Sequence, residues 1–181
     1  MSPLRKAASA LAALCLAGLG VTAVSSTASA ATSSAGVLDA TCPLGTETTT
    51  YDPPVTLTPT TTDIDITTQL GPCITTDPAI TTGTINTSFT AERSCVTIGS
   101  ANNTTLKVTW NDGRSSTINV NFVVNTVGGQ VVSTGTGAVL SGPFSGDSAV
   151  IVVTGPVLNP LECLTGVHAR TGTFTMELTS L

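Results

Sequence analysis

The stretch from Thr104 to Thr154 constrains the fold more than any other part of the chain. It holds four runs rich in β-branched residues: TTLKVTW, STINVNFVVNT, QVVSTGTGAVL and DSAVIVVT. Asn111-Asp112-Gly113-Arg114, Gly128-Gly129 and Ser141–Gly146 separate them. Runs of this kind with glycine turns between them read as consecutive antiparallel strands. Register follows from keeping apolar faces together. Leu106, Val108 and Trp110 share one face; Ile118, Val120, Phe122 and Val124 share the next. A two-residue loop at Asp112-Gly113 would set Val108 opposite Thr117. A three-residue loop, Asn111-Asp112-Gly113, pairs Leu106 with Ile118 and Trp110 with Arg114. It also puts Gly113 where a left-handed residue is required. At the next turn, a two-residue Gly128-Gly129 loop sets Phe122 opposite Gly135 and Val120 opposite Gly137. Large residues over small ones suit a curved or closed sheet.

The flanking segments add strands. Thr46 to Tyr51 alternates and is interrupted by Pro53-Pro54, which predicts an edge or bulged strand. Val55 and Leu57, then Ile64 and Ile66, repeat at period two. Thr82 to Ala91 places Ile85, Thr87, Phe89 and Ala91 on one face. Ala149 to Val153 is apolar on both faces, which predicts a central or covered strand. Gly155 to Arg170 is the longest irregular segment, and Thr171 to Leu181 is a final strand with Phe174, Met176 and Leu178 inward. No amphipathic helical segment of useful length is present. The expected fold is all-β and antiparallel, with about eight or nine strands in a barrel-like sheet or a β-sandwich. The opposed glycines favour the closed form.

Residues 1–30 read as a signal peptide: Arg5 and Lys6, an apolar run from Ala7 to Val24, and a small-x-small site at Ala28-Ser29-Ala30. Residues 31–41 are small and polar, the composition of a flexible leader, and 42–181 form a single all-β domain. The expected location is secreted and extracellular, without membrane insertion. Beyond the leader the chain has Cys42, Cys73, Cys95 and Cys163. An even count in a secreted chain implies two disulfides, and the spacings match no zinc pattern. Strand parity brings Cys95 and Cys163 to one end. Cys73 lies at the other, a full strand away from Cys95 and out of bridging range. The expected bridges are Cys42–Cys73 and Cys95–Cys163.

Removing Arg5 and Lys6 leaves four basic residues against eleven acidic ones. A surface so acidic is unsuited to nucleic acid or anionic membranes. Chemistry is scarce as well. The only histidine, His168, sits in a loop beside Arg170 with no diagnostic serine motif, so a Ser-His-Asp hydrolase is disfavoured. Asp63-x-Asp65 lacks the glycine-kinked loop and third ligand of a calcium site. Thr-x-Thr runs at Thr48–Thr50, Thr56–Thr60 and Thr171–Thr175 have no fixed period and reflect β-propensity. Trp110, at a hairpin mouth, either closes the core, the favoured role of the inward aromatics, or lines a pocket; with Arg114 beside it, it is the candidate ligand-binding pair. No catalytic residue, metal site or cofactor is expected.

Further short motifs recur along the chain: Cys42-Pro43-Leu44-Gly45-Thr46 with Thr48, Thr50 and Tyr51; Leu70-Gly71-Pro72-Cys73; Trp110-Asn111-Asp112-Gly113; Thr126-Val127-Gly128-Gly129; Phe144-Ser145-Gly146-Asp147; and Gly155-Pro156 with Cys163-Leu164. In these the chain resembles a group of small secreted proteins of high-GC Gram-positive bacteria. The resemblance covers most of residues 42–181 and implies a shared fold; it carries over no catalytic residue. In size, acidity, threonine content and two disulfides the chain is also similar to the enediyne-binding apoproteins. The expected role is a non-enzymatic extracellular binding or envelope-associated one, with an unknown protein or small molecule as partner. The alternatives are a carrier of an apolar small molecule in the sheet interior and, behind it, a hydrolase. Peptide mapping without reduction is expected to recover Cys42 joined to Cys73 and Cys95 joined to Cys163. A peptide joining Cys73 to Cys95 would refute the strand parity.

Overall fold

The computed structural model describes residues 36–97 and 102–180. The expected signal peptide, 1–30, lies outside them. The chain forms β1 (Val37–Val55), β2 (Thr60–Leu70), β3 (Ile74–Thr75), β4 (Gly83–Arg93) and β5 (Asn102–Trp110). It continues with β6 (Ser115–Val127), β7 (Gln130–Ser141), β8 (Ser148–Pro156), the short helix α1 (Pro160–Thr165) and β9 (Val167–Ser180). All pairings are antiparallel. Eight strands follow one another around a closed barrel, and β1 completes it by pairing with β2 on one edge and β9 on the other. β3 hangs on β1 outside the ring. Of the two architectures left open by the sequence, the barrel is the one formed.

The predicted registers hold. Leu106 pairs with Ile118, and the Trp110 N–H donates to the Arg114 carbonyl across the Asn111-Asp112-Gly113 loop. Gly113 has φ of 85°. Phe122 lies opposite Gly135 and Val120 opposite Gly137. A Cβ on Gly135 would come 2.7 Å from Cε1 of Phe122, while one on Gly137 would run into the Asn119 carbonyl oxygen. Both bridges are present, Cys42–Cys73 and Cys95–Cys163, at opposite ends of the barrel. The Thr-x-Thr runs stand side by side on the outer wall, with Thr48 between Thr67 and Thr171. Such cross-strand threonine pairs stabilise a sheet modestly.

Two expectations need correction. The flexible leader proposed for 31–41 is shorter, because Val37–Thr41 already belong to β1 and pair with β9. Gly155–Arg170 is less irregular than expected: α1 begins where the Asn159 side chain accepts from the Leu161 N–H, a local N-cap. Two others are met in one of their forms. The strand with Pro53-Pro54 is bulged there: the β2 ladder stops at Asp52↔Asp63 and the β9 ladder shifts register between Thr50 and Val55. The prolines therefore sit where no N–H is required. β8 is central, paired with β7 and β9, and open to solvent outside, since Val150 is 42% exposed.

The end holding Cys42–Cys73 is filled. Val108, Trp110, Ile118, Met176 and Leu178 are buried there, and Ile80 plugs the centre. The Trp110 Nε1–H donates to Ser116 Oγ (2.9 Å), whose hydroxyl donates to the Pro143 carbonyl (2.7 Å). Phe144 meets the Trp110 ring edge-on at 5.7 Å. The glycines opposite large lumen residues generate a stability prediction. Gly137→Ala is expected to cost about 1–3 kcal/mol, because a backbone oxygen cannot move aside. Gly135→Ala should cost less, because a Cβ there meets only side-chain atoms, Val120 Cγ1 at 2.5 Å and the Phe122 ring, which can shift where a backbone oxygen cannot. Urea midpoints decide it; equal or reversed losses would overturn this account of the packing.

Candidate functional site

Alternation sends every second side chain of each strand into the lumen. Toward the end that holds Cys95–Cys163 these side chains do not fill it, and a cavity of about 180 Å³ remains. Its walls are mainly apolar: Ile64 and Ile66 from β2, Ile85 and Phe89 from β4, Leu106 from β5. Phe122, Val153 and Phe174 close the opposite side and the floor. Gly135 is what lets the Phe122 ring lie back against β7 instead of across the lumen. The rim carries a second small core, in which Tyr51, Val55 and Ile64 pack against Cys163 of α1 and Val167. The Cys95–Cys163 bridge thus holds α1 over one side of the mouth.

Ionisable groups enter this space from three strands, beside the hydroxyl and amide groups of Thr49, Thr68, Thr87, Asn102, Thr104 and Ser133. β1 supplies Glu47 and Tyr51, β4 supplies Arg93, and β9 supplies Arg170. In the ladder Arg170 lies opposite Thr49, so Glu47 and Tyr51 are its diagonal neighbours on the same inner face. Gly172 lies opposite Glu47. Arg170 has a seat of its own, because a Cβ on Gly155 would come 2.9 Å from its Nη2. Burial pushes the Glu47 carboxyl above its usual range, and the Arg170 charge and a hydrogen bond with Thr68 only partly offset it. Burial likewise raises the Tyr51 phenol, with Arg170 and Arg93 pulling the other way. Among the described residues both salt bridges belong to Arg114, and neither Arg93 nor Arg170 takes part in one.

The wall is not uniform around the cavity. β4 and β5 pair only at Gly83↔Trp110, Thr84↔Thr109 and Ile85↔Val108. β5 pairs with β6 along nearly its whole length. Beyond Ile85 the ladder between β4 and β5 stops, and Thr87 and Phe89 of β4 and Asn102 and Thr104 of β5 line the cavity there. Phe89 is 38% exposed there.

The pair singled out from the sequence sits elsewhere. Trp110 is 2% exposed in the packed end, and neither it nor Arg114 lines the cavity. Arg114 instead joins Asp112 to Asp77, while Asn111 Oδ1 accepts from the Thr81 and Thr82 N–H groups. Together they fasten the loop after β3 across the closed end. His168 is exposed on β9 and outside the cavity lining. Asp63 and Asp65 accept from the Thr90 and Ser88 hydroxyls on the outer wall.

Glu47, Tyr51, Arg93 and Arg170 escaped the sequence reading, although a signal for three of them was present. Arg170 shares parity with Phe174, Met176 and Leu178, and Arg93 with Ile85 and Phe89. Glu47 shares parity with Tyr51. In a chain with 9% charged residues, a charge on an inward face is the informative observation. Comparison with family models, curated proteins and solved structures finds no match.

Glu47 generates a pH prediction. Its folded carboxyl binds a proton more tightly than the unfolded one, so ionisation destabilises the native state. The penalty is absent below the ordinary value of 4.5 and grows as pH rises through the folded value. Glu47→Gln is therefore expected to raise the melting temperature at pH 7 and to have little effect at pH 4. An equal effect at both values would contradict the assignment.

Proposed function

We propose that this protein is an extracellular, non-enzymatic binding protein that carries a small apolar molecule inside the barrel. The observation that carries this reading is the cavity itself: about 180 Å³, with aliphatic and aromatic side chains from Ile64 to Phe174 in its wall, interspersed with hydroxyl groups and four ionisable side chains. Such a lining is typical of small-molecule sites, and eight-stranded barrels are wide enough to hold one small ligand. Closure of the sheet weighs against a strand-pairing partner at the C-terminal strand, because β9 is hydrogen-bonded on both edges. Of the roles expected from the sequence, the carrier is the one this interior favours, with its site moved from the Trp110 mouth to the opposite end.

Two disulfides suit an oxidising compartment. No described helix is long and apolar enough to cross a membrane. With the signal-like N-terminus, these support an extracellular carrier. His168, the base a Ser-His-Asp hydrolase would use, is exposed and outside the cavity lining.

The size of the cavity limits the cargo. An engineered cavity of about 150 Å³ admits benzene, so a single ring or a short chain is the expected scale. Titration with toluene and 1-octanol, followed by amide NMR shifts, is expected to perturb residues around Ile64, Leu106 and Phe122. Val124→Trp, which places an indole in the cavity, should abolish those shifts while leaving the fold intact. Shifts that are absent, or that cluster around Trp110, would overturn the reading.

A further inference from the structure

The chain beyond residue 30 holds four basic residues, and their positions are unequal. Arg114 is neutralised by Asp77 and Asp112. Lys107 points outward from β5 and is exposed. The other two, Arg93 and Arg170, both face the one apolar cavity. Half of the cations of a strongly acidic protein therefore converge on a space that aliphatic residues wall. Glu47 is the single carboxylate among the lining residues, and it makes no salt bridge with either arginine.

Both are half-buried, and neither is neutralised by a carboxylate: Arg93 donates to the Glu92 carbonyl (3.4 Å). An unneutralised charge beside apolar surface is costly. Arg170 has a built position, since Gly155 leaves the room that it occupies. Arg170 comes from β9 and Arg93 from β4, with β1 and β2 between them. Tyr51, diagonal to Arg170 on the inner face, stands on β1 between them. Both cations line the same cavity as this hydroxyl. A guanidinium matches a carboxylate in shape and binds it by two parallel N–H···O bonds.

We propose that the cavity is selective for small amphipathic carboxylic acids, the carboxylate bound by Arg170 and Arg93 and the apolar body held between Ile85, Leu106, Phe122 and Phe174. This rests on the carrier reading and adds the class of cargo to it. The acidic outer surface repels anions at long range, so selectivity comes from the inner arginines and not from steering. Tyr51 adds a hydroxyl donor in the same cavity. Glu47, deeper on β1, disfavours a second anionic group and so limits the ligand to one charge.

The test is calorimetric titration of the full secreted chain at pH 7 with 3-phenylpropionate and octanoate, each against its primary amide. The acids are expected to bind about tenfold or more tightly than the amides, the scale of a charge-assisted hydrogen bond. Arg170→Gln should erase that preference and Arg93→Gln should reduce it. Arg170→Lys should keep part of it, and Lys107→Ala should leave it unchanged. Gly155→Val, which keeps the charge but takes its seat, should weaken acid binding as well and serves if Arg170→Gln does not fold. Amides that bind as well as acids would overturn the acid selectivity and leave the carrier standing. A preference that survives in both Arg170→Gln and Arg93→Gln would do the same. Failure of acids, amides, toluene and 1-octanol alike would remove both.

Discussion

Hydrogen bonding along both edges of β1 is the constraint on which the structure depends. The strand reaches from Val37 to Val55, and its last turn of ladder with β9 lies beyond two prolines. One edge meets β2, the strand that follows it in sequence. The other meets β9, the last strand of the chain. Without the second ladder the remaining strands would be an open meander with two unpaired edges. With it they enclose a lumen, and each inward position acquires neighbours from across the ring.

Closure alone does not decide whether a lumen is filled. At the closed end the inward residues are large on nearly every strand, and Trp110 and Ile80 take up the space that remains. Toward the open end the ring includes Gly135, Gly155 and Gly172 on β7, β8 and β9, against large residues on β2, β4 and β6. That imbalance leaves the cavity to one side and makes room for Arg170. The cost is a site that holds Glu47 and Arg170 in poorly solvated surroundings, close enough to influence each other but not joined.

The four strands from Thr104 to Thr154 were legible because their registers are settled locally. Gly113 admits only certain loops, and Leu106 and Ile118 must share a face. The Cys95–Cys163 bridge was legible for a related reason, since strand parity counts ends without knowing angles. For Trp110 the sequence left core closure and a pocket both open, because a hairpin mouth has the same local pattern whether or not another loop folds over it. It closes the core, and Phe144, which meets its ring, arrives from a segment outside the hairpin. Arg114 was likewise a turn residue until Asp77 came within reach.

Local patterning, then, decides the strand-forming segments, most turns, the inward faces and the disulfide pairing, because each depends on period two and on backbone conformations that few residues tolerate. It also shows that Arg170 and Arg93 lie on inward faces, though not that they look into the same space. Tertiary closure decides that. The distance between a residue on β4 and one on β9 depends on whether the sheet curls into a ring, and on the size of side chains several strands away. Which end is plugged, where the cavity opens and which charges gather in it are properties of the closed ring, and no single strand carries them.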